Sequence, residues 1–427
     1  MSVLIGGMFV LMMLGMPIAY AIGVASLIYV VTCTDISVMV VAQRICVGAD
    51  SLVLLALPFF LLAGEIMNAA GITQRLTRLA LALIGPPRGG LSYVVVAVNV
   101  LVSMVSGAAV ASAAAVGSTM VPMMEKKGYP RPYAAALNAT AATIGPIIPP
   151  SVGFIIYASV SGVSVGKLFL AGTVPGILLA LGILIVCMVQ AYRHRYPAGE
   201  RHSWRELWIS FREAVPALLM PVIILGGIFG GLVTPTEAGA LAVAYGLFAG
   251  FVVYRSLDGA TLLRILLITA RRTAAVMFII ACASCFGFLI AREVDAGGMI
   301  SMVQGLTQSR TTLMLMVIGL ILVLGTVMEG GSIMIILTPL LMPLLKAYEI
   351  DAIHFGVVFQ LGIMVGLLTP PVGMLLFVLS GISRVSVRTM VRNLWPFYIM
   401  FAILLLVIAF VPEISLWLTE GPKVQLK

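Results

Sequence analysis

The chain has 427 residues, of which 61% are hydrophobic and only 10% carry a charge. Soluble domains carry about 25% charged residues, so this composition excludes a soluble enzyme, a disordered protein and a disulfide-rich secreted module. The net charge of +9 does not indicate nucleic-acid binding, because the densest basic cluster lies in one polar connection near the middle of the chain. The composition predicts an all-α polytopic membrane protein.

Charge-free windows recur along the chain. They cover residues 1–34, 89–124, 132–166, 168–192 and 214–236. A helix needs about 20 apolar residues to cross the hydrocarbon of a bilayer, whereas the strands of a membrane barrel alternate over about 10 residues. These continuous runs therefore predict membrane-spanning helices.

Residues 89–124 form a window that is too long for one crossing and too short for two. Ser103, Ser106 and Gly107 lie near its middle, where small residues suit a turn. We predict a re-entrant helical hairpin over this window. Residues 311–345 predict a second hairpin, with a Gly-rich tip of its own.

Each predicted hairpin is followed by an apolar run that contains adjacent prolines. Pro149-Pro150 interrupts residues 132–166, and Pro370-Pro371 interrupts residues 355–383. Proline removes a backbone donor and clashes with the preceding turn, so both runs predict broken helices. One such motif fits a simple kink equally well. Two at equivalent places favour a binding site, because open backbone within a membrane must be buried in protein or line a polar cavity.

Motifs of the first half recur in the second half. Gly145 and Gly366 lie 221 positions apart, and duplicated halves with an odd number of crossings are typical of inverted-repeat secondary transporters. We predict a first repeat over residues 1–192 and a second over residues 214–427. The Arg- and Trp-rich residues 193–213 predict a cytoplasmic amphipathic connection at the membrane surface.

The opened backbone and the nearby hydroxyls supply uncharged oxygen ligands. Such hard donors suit a weakly held monovalent cation, Na⁺, and fit transition metals poorly. The first predicted sodium site consists of Ser103, Ser106, Gly145, Ile148 and Pro150. The second consists of Gly325, Met328, Gly366, Thr369 and Pro371. The three histidines do not cluster in the sequence, so we expect no transition-metal site.

Two other interpretations of these residues stay open. Ser and Gly also permit close helix packing. Glu65, Glu237 and Glu329 lie in or beside apolar runs, where acids can carry protons. Glu237 follows Pro235 by two positions and equally suits the first turn of a helix.

Five short segments, taken together and in order, resemble the large membrane subunit of the tripartite ATP-independent periplasmic (TRAP) transporters, of the DctM/SiaM type. The segments are Leu57–Met67, Pro149–Ser151, Lys167–Gly172, Thr234–Ala238 and Leu368–Gly373. The first hairpin tip departs from the family pattern. Relatives commonly carry Ser-Gly-Ser there with an acid a few positions on, whereas this chain has Ser106-Gly107-Ala108 and then Ser112.

The resemblance implies an elevator-type ion-transporter fold and no enzymatic activity. It implies sodium-coupled secondary active uptake of an organic acid anion, such as sialic acid, a C4-dicarboxylate or a sugar acid, across a bacterial inner membrane. Na⁺ would be the coupling ion. The implied partners are a periplasmic substrate-binding protein and a small four-span membrane subunit, which we expect as a separate chain because no four-span module precedes Met1.

Hairpin N-termini would hold the substrate anion, since the helix dipole favours negative charge there. Asn138 and Ser332 are the candidates for direct substrate contact. Two alternative functions stay open: a stand-alone carrier coupled to Na⁺ or H⁺, and a passive channel or non-transporting assembly subunit.

Overall fold

The computed structural model describes residues 2–419 except residues 52, 85, 200–202 and 294–295. Predicted boundaries that fall on the remaining residues, such as the end of the second repeat, lie outside this description. Over the described residues the chain is helical, and the one strand-like contact is an isolated bridge between Arg88 and Ala198. The all-α prediction is confirmed.

The described residues of the first half contain ten helices. These are α1 Ser2–Met13, α2 Ile18–Cys33, α3 Val38–Ala49, α4 Ala56–Ala69, α5 Ile72–Ile84, α6 Gly90–Ser106, α7 Ala109–Lys126, α8 Arg131–Ala142, α9 Val152–Ser161 and α10 Val165–Arg193. Helices α9 and α10 begin at serine caps, Ser151 and Ser164, whose hydroxyls accept hydrogen bonds from the first turn.

The second half contains the other helices of the described chain. These are α11 Trp204–Phe229, α12 Pro235–Phe248 with a π-helical turn over Ala249–Val253, α13 Gly259–Glu293, α14 Ala296–Leu306, α15 Arg310–Gly325, α16 Gly330–Ala347, α17 Ala352–Gly366, α18 Met374–Ser383, α19 Val387–Phe410 and α20 Glu413–Leu416. Capping boxes start α11, through Ser203 and Glu206, and α12, through Thr234 and Glu237.

Six helices of the described chain are long and apolar enough to cross a membrane. They are Val165–Arg193, Trp204–Phe229, Pro235–Val253, Gly259–Ile290, Gly330–Ala347 and Val387–Phe410. The number rises to eight if two bent helix pairs each count as one span. The prediction of a polytopic membrane protein is confirmed.

The predicted connection differs from a separate surface helix. Its residues from Trp204 onward form the first turns of α11, which continues without a break to Phe229. Pro216 and Pro221 lie inside this helix, yet neither ends it. Trp204, Trp208 and Phe211, with Arg205 and Arg212, therefore lie in the first turns of a helix that is long and apolar enough to cross a membrane.

Two helix pairs and two helix breaks have matching positions in the two halves. Helix α6 ends at Ser106 and α7 begins at Ala109, while α15 ends at Gly325 and α16 begins at Gly330. The chain leaves the helical conformation over residues 143–151, between α8 and α9, and over residues 367–373, between α17 and α18.

The two halves interlock around these features. Helices α7, α8 and α9 pack on α18, α19 and α16, respectively, and α10 packs on α19. Helix α13 lies at the side of this group, where it packs on α2, α3, α4 and α16. Both turns and both breaks therefore belong to one interlocked group of helices.

Candidate functional site

A cavity of about 340 Å³ lies where several interrupted elements meet. Its walls come from the start of α7, the first break, the start of α16 and the middle of α17, with one arginine from α13. Lining residues include Gly107, Ala108, Ala109, Pro146, Gly153, Arg272, Glu329, Gly330, Gln360 and Met374. The cavity combines helix N-termini, open backbone and a cation.

Three hydroxyls gather at the turn between α6 and α7. The Oγ atom of Ser112 lies 2.9 Å from that of Ser106 and 3.3 Å from that of Ser103. Ser103 and Ser112 are fully buried. Ser112 is not one of the five residues of the predicted first sodium site, although its spacing from Ser106 places it across the same turn.

The first break packs directly against this turn. A β-carbon built on Gly145 would lie 2.8 Å from the Ser103 hydroxyl, and one built on Gly107 would lie 2.6 Å from the Pro150 carbonyl oxygen. Four predicted residues of the first site, Ser103, Ser106, Gly145 and Pro150, therefore share one neighbourhood. They bring hydroxyl and carbonyl oxygens together.

Ile148 lies in the same break but on its other side. Its backbone N–H donates to the Ile144 carbonyl at 3.0 Å, and its side chain contacts Gly176 of α10. The Ile148 side chain thus packs the break against α10.

The second predicted set also meets at a helix turn. Gly325 and Gly366, the last residues of α15 and α17, are in backbone contact. The Thr326 carbonyl accepts a hydrogen bond from the Val372 N–H at 3.1 Å, which ties the turn to the second break. The Thr369 hydroxyl donates to the Val365 carbonyl at 2.8 Å, within its own helix end.

The two breaks differ in burial. Every residue from 143 to 151 is buried, whereas Pro370, Pro371 and Val372 are exposed. Met328, in the turn before α16, is buried. The first set therefore lies inside the protein, and the second reaches its surface at Pro371.

The three acids considered as proton carriers take different places. Glu65 accepts a hydrogen bond from Arg272, which lines the cavity. Glu329 also lines the cavity and caps α16, because its carboxylate accepts from the Ser332 N–H at 3.2 Å. Glu237 is exposed in the α12 capping box with Thr234, so the structure gives it the helix-start role.

The two substrate candidates are not equally placed. Asn138 is fully buried, where it accepts a hydrogen bond from Asn99 at 3.0 Å and donates to the Ala113 carbonyl at 2.8 Å. Both of these contacts tie helices together, and Asn138 is not among the cavity-lining residues. Ser332 is buried beside the cavity, where its hydroxyl lies 3.4 Å from the Glu329 carboxylate.

Gln360 is a cavity residue that the sequence reasoning missed. It is 3% exposed, and its Oε1 atom has no hydrogen-bond partner within the described part of the chain. A buried polar atom without a partner is costly, so an unpaired amide facing a cavity is suited to a bound polar group. The available signal was an uncharged polar side chain inside a long apolar run.

The cavity offers hydrogen-bond donors and one guanidinium to an anion, beside the Glu329 carboxylate that caps α16. Helices α7, α9 and α16 begin at its wall, and the N-terminus of a helix carries free N–H groups and partial positive charge. Arg272 adds a guanidinium, which binds carboxylates in a planar, two-pronged geometry. A small organic anion with further hydroxyl groups fits this combination.

Comparison with known proteins identifies the family. The model of the DctM component of tripartite ATP-independent periplasmic transporters matches residues 5–414. The chain belongs to this family. The resemblance seen in the short sequence segments is thereby confirmed, and the chain is a TRAP transporter large permease rather than an enzyme.

Several curated TRAP permeases are similar over nearly their whole length. The 2,3-diketo-L-gulonate TRAP transporter large permease YiaN of Escherichia coli is 41% identical, with 94% of each chain covered. The sialic acid TRAP permease SiaM of Vibrio cholerae is 36% identical, with 96% of each covered. The C4-dicarboxylate permease DctM of Rhodobacter capsulatus is 34% identical, with 97% of each covered.

A solved transporter shares the fold. The YdaH transporter of Alcanivorax borkumensis superposes with a TM-score of 0.61 at 15% identity, covering 89% of this TRAP permease and 87% of YdaH. At this identity the likeness concerns the fold alone. TRAP permeases are multi-pass proteins of the bacterial inner membrane, which is where this chain belongs.

Proposed function

We propose that this TRAP permease carries out sodium-coupled secondary active uptake of an organic acid anion. The observation that carries the proposal is the cavity at which α7, α9 and α16 begin and which Arg272 lines. The similar permeases are named for 2,3-diketo-L-gulonate, sialic acid and C4-dicarboxylates, and all three substrates carry carboxylates.

In this proposal the substrate carboxylate binds at the helix N-termini and, in the arrangement that the structure has, also at Arg272 of α13. The Gln360 amide then faces the remaining polar groups of the substrate, and Ser332 acts from behind the cavity wall through its contact with the Glu329 carboxylate. Because Arg272 is paired with Glu65, the substrate competes with Glu65 for the guanidinium. Without substrate, the pair with Glu65 compensates the positive charge of Arg272.

Sodium binds at the two turns in this proposal. The first site uses Ser103, Ser106, Gly145 and Pro150, with Ser112 added on the basis of its contacts with both serines. The second site uses carbonyls around Gly325, Met328 and Gly366, and the Thr369 hydroxyl. Ile148 belongs to the first break and Pro371 to the second.

Two partners complete the proposed system. They are a small four-span membrane subunit and a periplasmic protein that delivers the substrate, because the family is tripartite. Reconstitution into liposomes tests the whole proposal. We expect the liposomes to accumulate the substrate above its external concentration. This accumulation should require the binding protein, the small subunit and an inward Na⁺ gradient.

Other outcomes of that assay identify the alternatives. Accumulation without the binding protein would indicate a stand-alone carrier. Accumulation driven by a pH gradient in the absence of Na⁺ would indicate proton coupling, for which Glu329 at the cavity is the favoured group. Equilibration without accumulation would indicate a passive channel.

An elevator movement is part of the proposal. The interlocked group with both turns and both breaks moves against α13 and against α2 and α3, which pack on α13. A β-carbon on Gly287 of α13 would lie 3.6 Å from the Pro339 β-carbon of α16, which is within the range for a disulfide.

A cross-link across this boundary tests the movement. The pair Gly287→Cys and Pro339→Cys is placed in a variant in which the native cysteines are replaced by serine. Oxidation should stop uptake, and reduction should restore it, while each single-cysteine variant stays insensitive to oxidation. Full uptake by the cross-linked protein would exclude relative motion of α13 and α16.

A further inference from the structure

A second and larger cavity lies away from the central one. It has a volume of about 790 Å³ and opens between α5, α11 and the segment that follows α12. Three arginines line it, Arg75, Arg78 and Arg212, together with one acid, Glu213. The pocket therefore carries an excess of two positive charges, which the proposed transport cycle does not use.

The arginines differ in how far they are already engaged. Arg75 donates to the carbonyls of Ala70 and Gly71 at 2.7 and 3.0 Å and stacks over Tyr254, with 3.8 Å from its guanidinium carbon to the ring centre. These contacts hold Arg75 in place at the bend between α4 and α5.

Arg78 and Arg212 are the available cations. Arg78 pairs with Glu213 at 3.2 Å, but its side chain is 65% exposed, and such surface pairs are weak. Arg212 has no ion-pair or hydrogen-bond partner among the described residues. Burial raises the pKa of Tyr254 to about 12, so the phenol stays neutral and adds no competing negative charge.

The surroundings place this pocket at the membrane interface. Trp208, also a lining residue, is 67% exposed and stacks on Phe211. Exposed tryptophans at the end of a spanning helix are typical of the headgroup region. Further along α11, Val222 is 63% exposed and apolar, as expected for a surface that faces the acyl chains.

The basic residues around the pocket also indicate its side. Arg193 and Arg195 precede α11, and Arg205 and Arg212 lie in its first turns. The positive-inside rule assigns such a cluster to the cytoplasmic side. Basic pockets between helices on that side bind the headgroups of anionic lipids.

We propose that this pocket binds the phosphate group of an anionic phospholipid of the cytoplasmic leaflet through Arg78 and Arg212, with Arg75 beside them. Arginine suits this ligand because its planar guanidinium makes two parallel hydrogen bonds to phosphate oxygens. The exposed Trp208 lies beside the lipid at the level of its glycerol backbone. The proposal depends on the membrane location and not on the transported substrate.

The test variant leaves Arg75 unchanged, because Arg75 also holds the α4–α5 bend. Arg78→Gln with Arg212→Gln is compared with Arg388→Gln plus Arg392→Gln, which removes two exposed arginines of α19 that do not line the pocket. Both double variants lose two positive charges, so any unspecific attraction to anionic lipid falls equally.

The full-length purified protein is titrated in detergent with phosphatidylglycerol or phosphatidylcholine, and its thermal unfolding is followed. A ligand that binds the folded state raises the unfolding midpoint. Phosphatidylglycerol should stabilise the unchanged protein and the α19 variant alike. The pocket variant should need a lipid concentration roughly tenfold or more higher, and native mass spectrometry should find fewer retained lipids on it.

Each other outcome would overturn the proposal. Equal stabilisation of both double variants would remove the site, and equal effects of the two lipids would remove the role of charge. Stabilisation by millimolar inorganic phosphate alone would assign the pocket to a soluble phosphate. Stabilisation only by a co-purified membrane subunit would assign it to a protein partner.

Discussion

Gly366 at the end of α17 lies with its backbone against Gly325 at the end of α15. A β-carbon on Gly366 would lie 2.6 Å from the Gly325 Cα, and one on Gly325 would lie 3.0 Å from the Gly366 Cα. Any side chain at either position must push the turn before α16 away from the second break. The proposed second sodium site is therefore built on a contact that only glycine allows.

Gly366→Ala should lower the free energy of unfolding by about 1–3 kcal/mol, the usual cost of overpacking. It should also weaken the dependence of uptake on Na⁺. The matched control is Gly319→Ala on α15, where no atom lies within 4 Å of an added β-carbon. The control should be neutral or stabilising by up to about 1 kcal/mol. Thermal unfolding in detergent measures both, and equal midpoints would contradict the packing argument.

Gly107→Ala should lower the free energy of unfolding by more than the positive φ angle of Gly107 alone explains. Gly107 has φ +60°, and its β-carbon would lie 2.6 Å from the Pro150 carbonyl. Gly162 has φ +76° with open space around it, so Gly162→Ala measures the conformational strain alone, about 1–2 kcal/mol. Gly107→Ala should lose a further 1–3 kcal/mol or so together with uptake. Identical losses in both variants would show that the contact with the first break is unimportant.

Ser112→Ala should raise the Na⁺ concentration needed for half-maximal uptake. The Ser112 hydroxyl contacts both Ser103 and Ser106, and losing a hydrogen bond of about 1 kcal/mol corresponds to roughly a fivefold change. Ser118→Ala is the control, because the exposed Ser118 hydroxyl donates only to the Ala115 carbonyl of its own helix. Uptake measured over a series of Na⁺ concentrations gives both values. An unchanged Na⁺ dependence in Ser112→Ala would remove Ser112 from the site.

Arg272→Gln should raise the apparent KM for the organic anion by roughly tenfold or more, since a hydrogen bond to a charged group contributes about 1.5–3 kcal/mol. Arg271→Gln, at the adjacent exposed position of the same helix, should leave KM unchanged. Glu65→Gln should lower KM, because it frees the guanidinium for the substrate. A purely structural ion pair predicts instead that Arg272→Gln and Glu65→Gln impair uptake alike, and initial rates of uptake separate the two cases.

The sequence by itself determined the class of protein and the two helix breaks at adjacent prolines. So few charged residues cannot cover the surface of a water-soluble protein of this length, so the chain must lie in a membrane. Adjacent prolines interrupt a helix because they remove backbone donors and clash with the preceding turn. The short segments resembling TRAP permeases identified the family, because their residues recur in order along the chain.

Side-chain partners at the site depended on the tertiary structure. Glu65 and Arg272 are 207 positions apart, and no local pattern couples them. The Asn138 amide is hydrogen-bonded within the helix packing, whereas the Gln360 Oε1 atom has no partner among the described residues. In the sequence, both are uncharged polar residues within an apolar run. The sequence around Trp204 fits a short helix on the membrane surface and the start of a longer spanning helix equally well. The periodicity of the first turns does not reveal how far the helix continues. Such pairings are decided by how the helices pack, since contacts between distant segments exist only once the chain has folded.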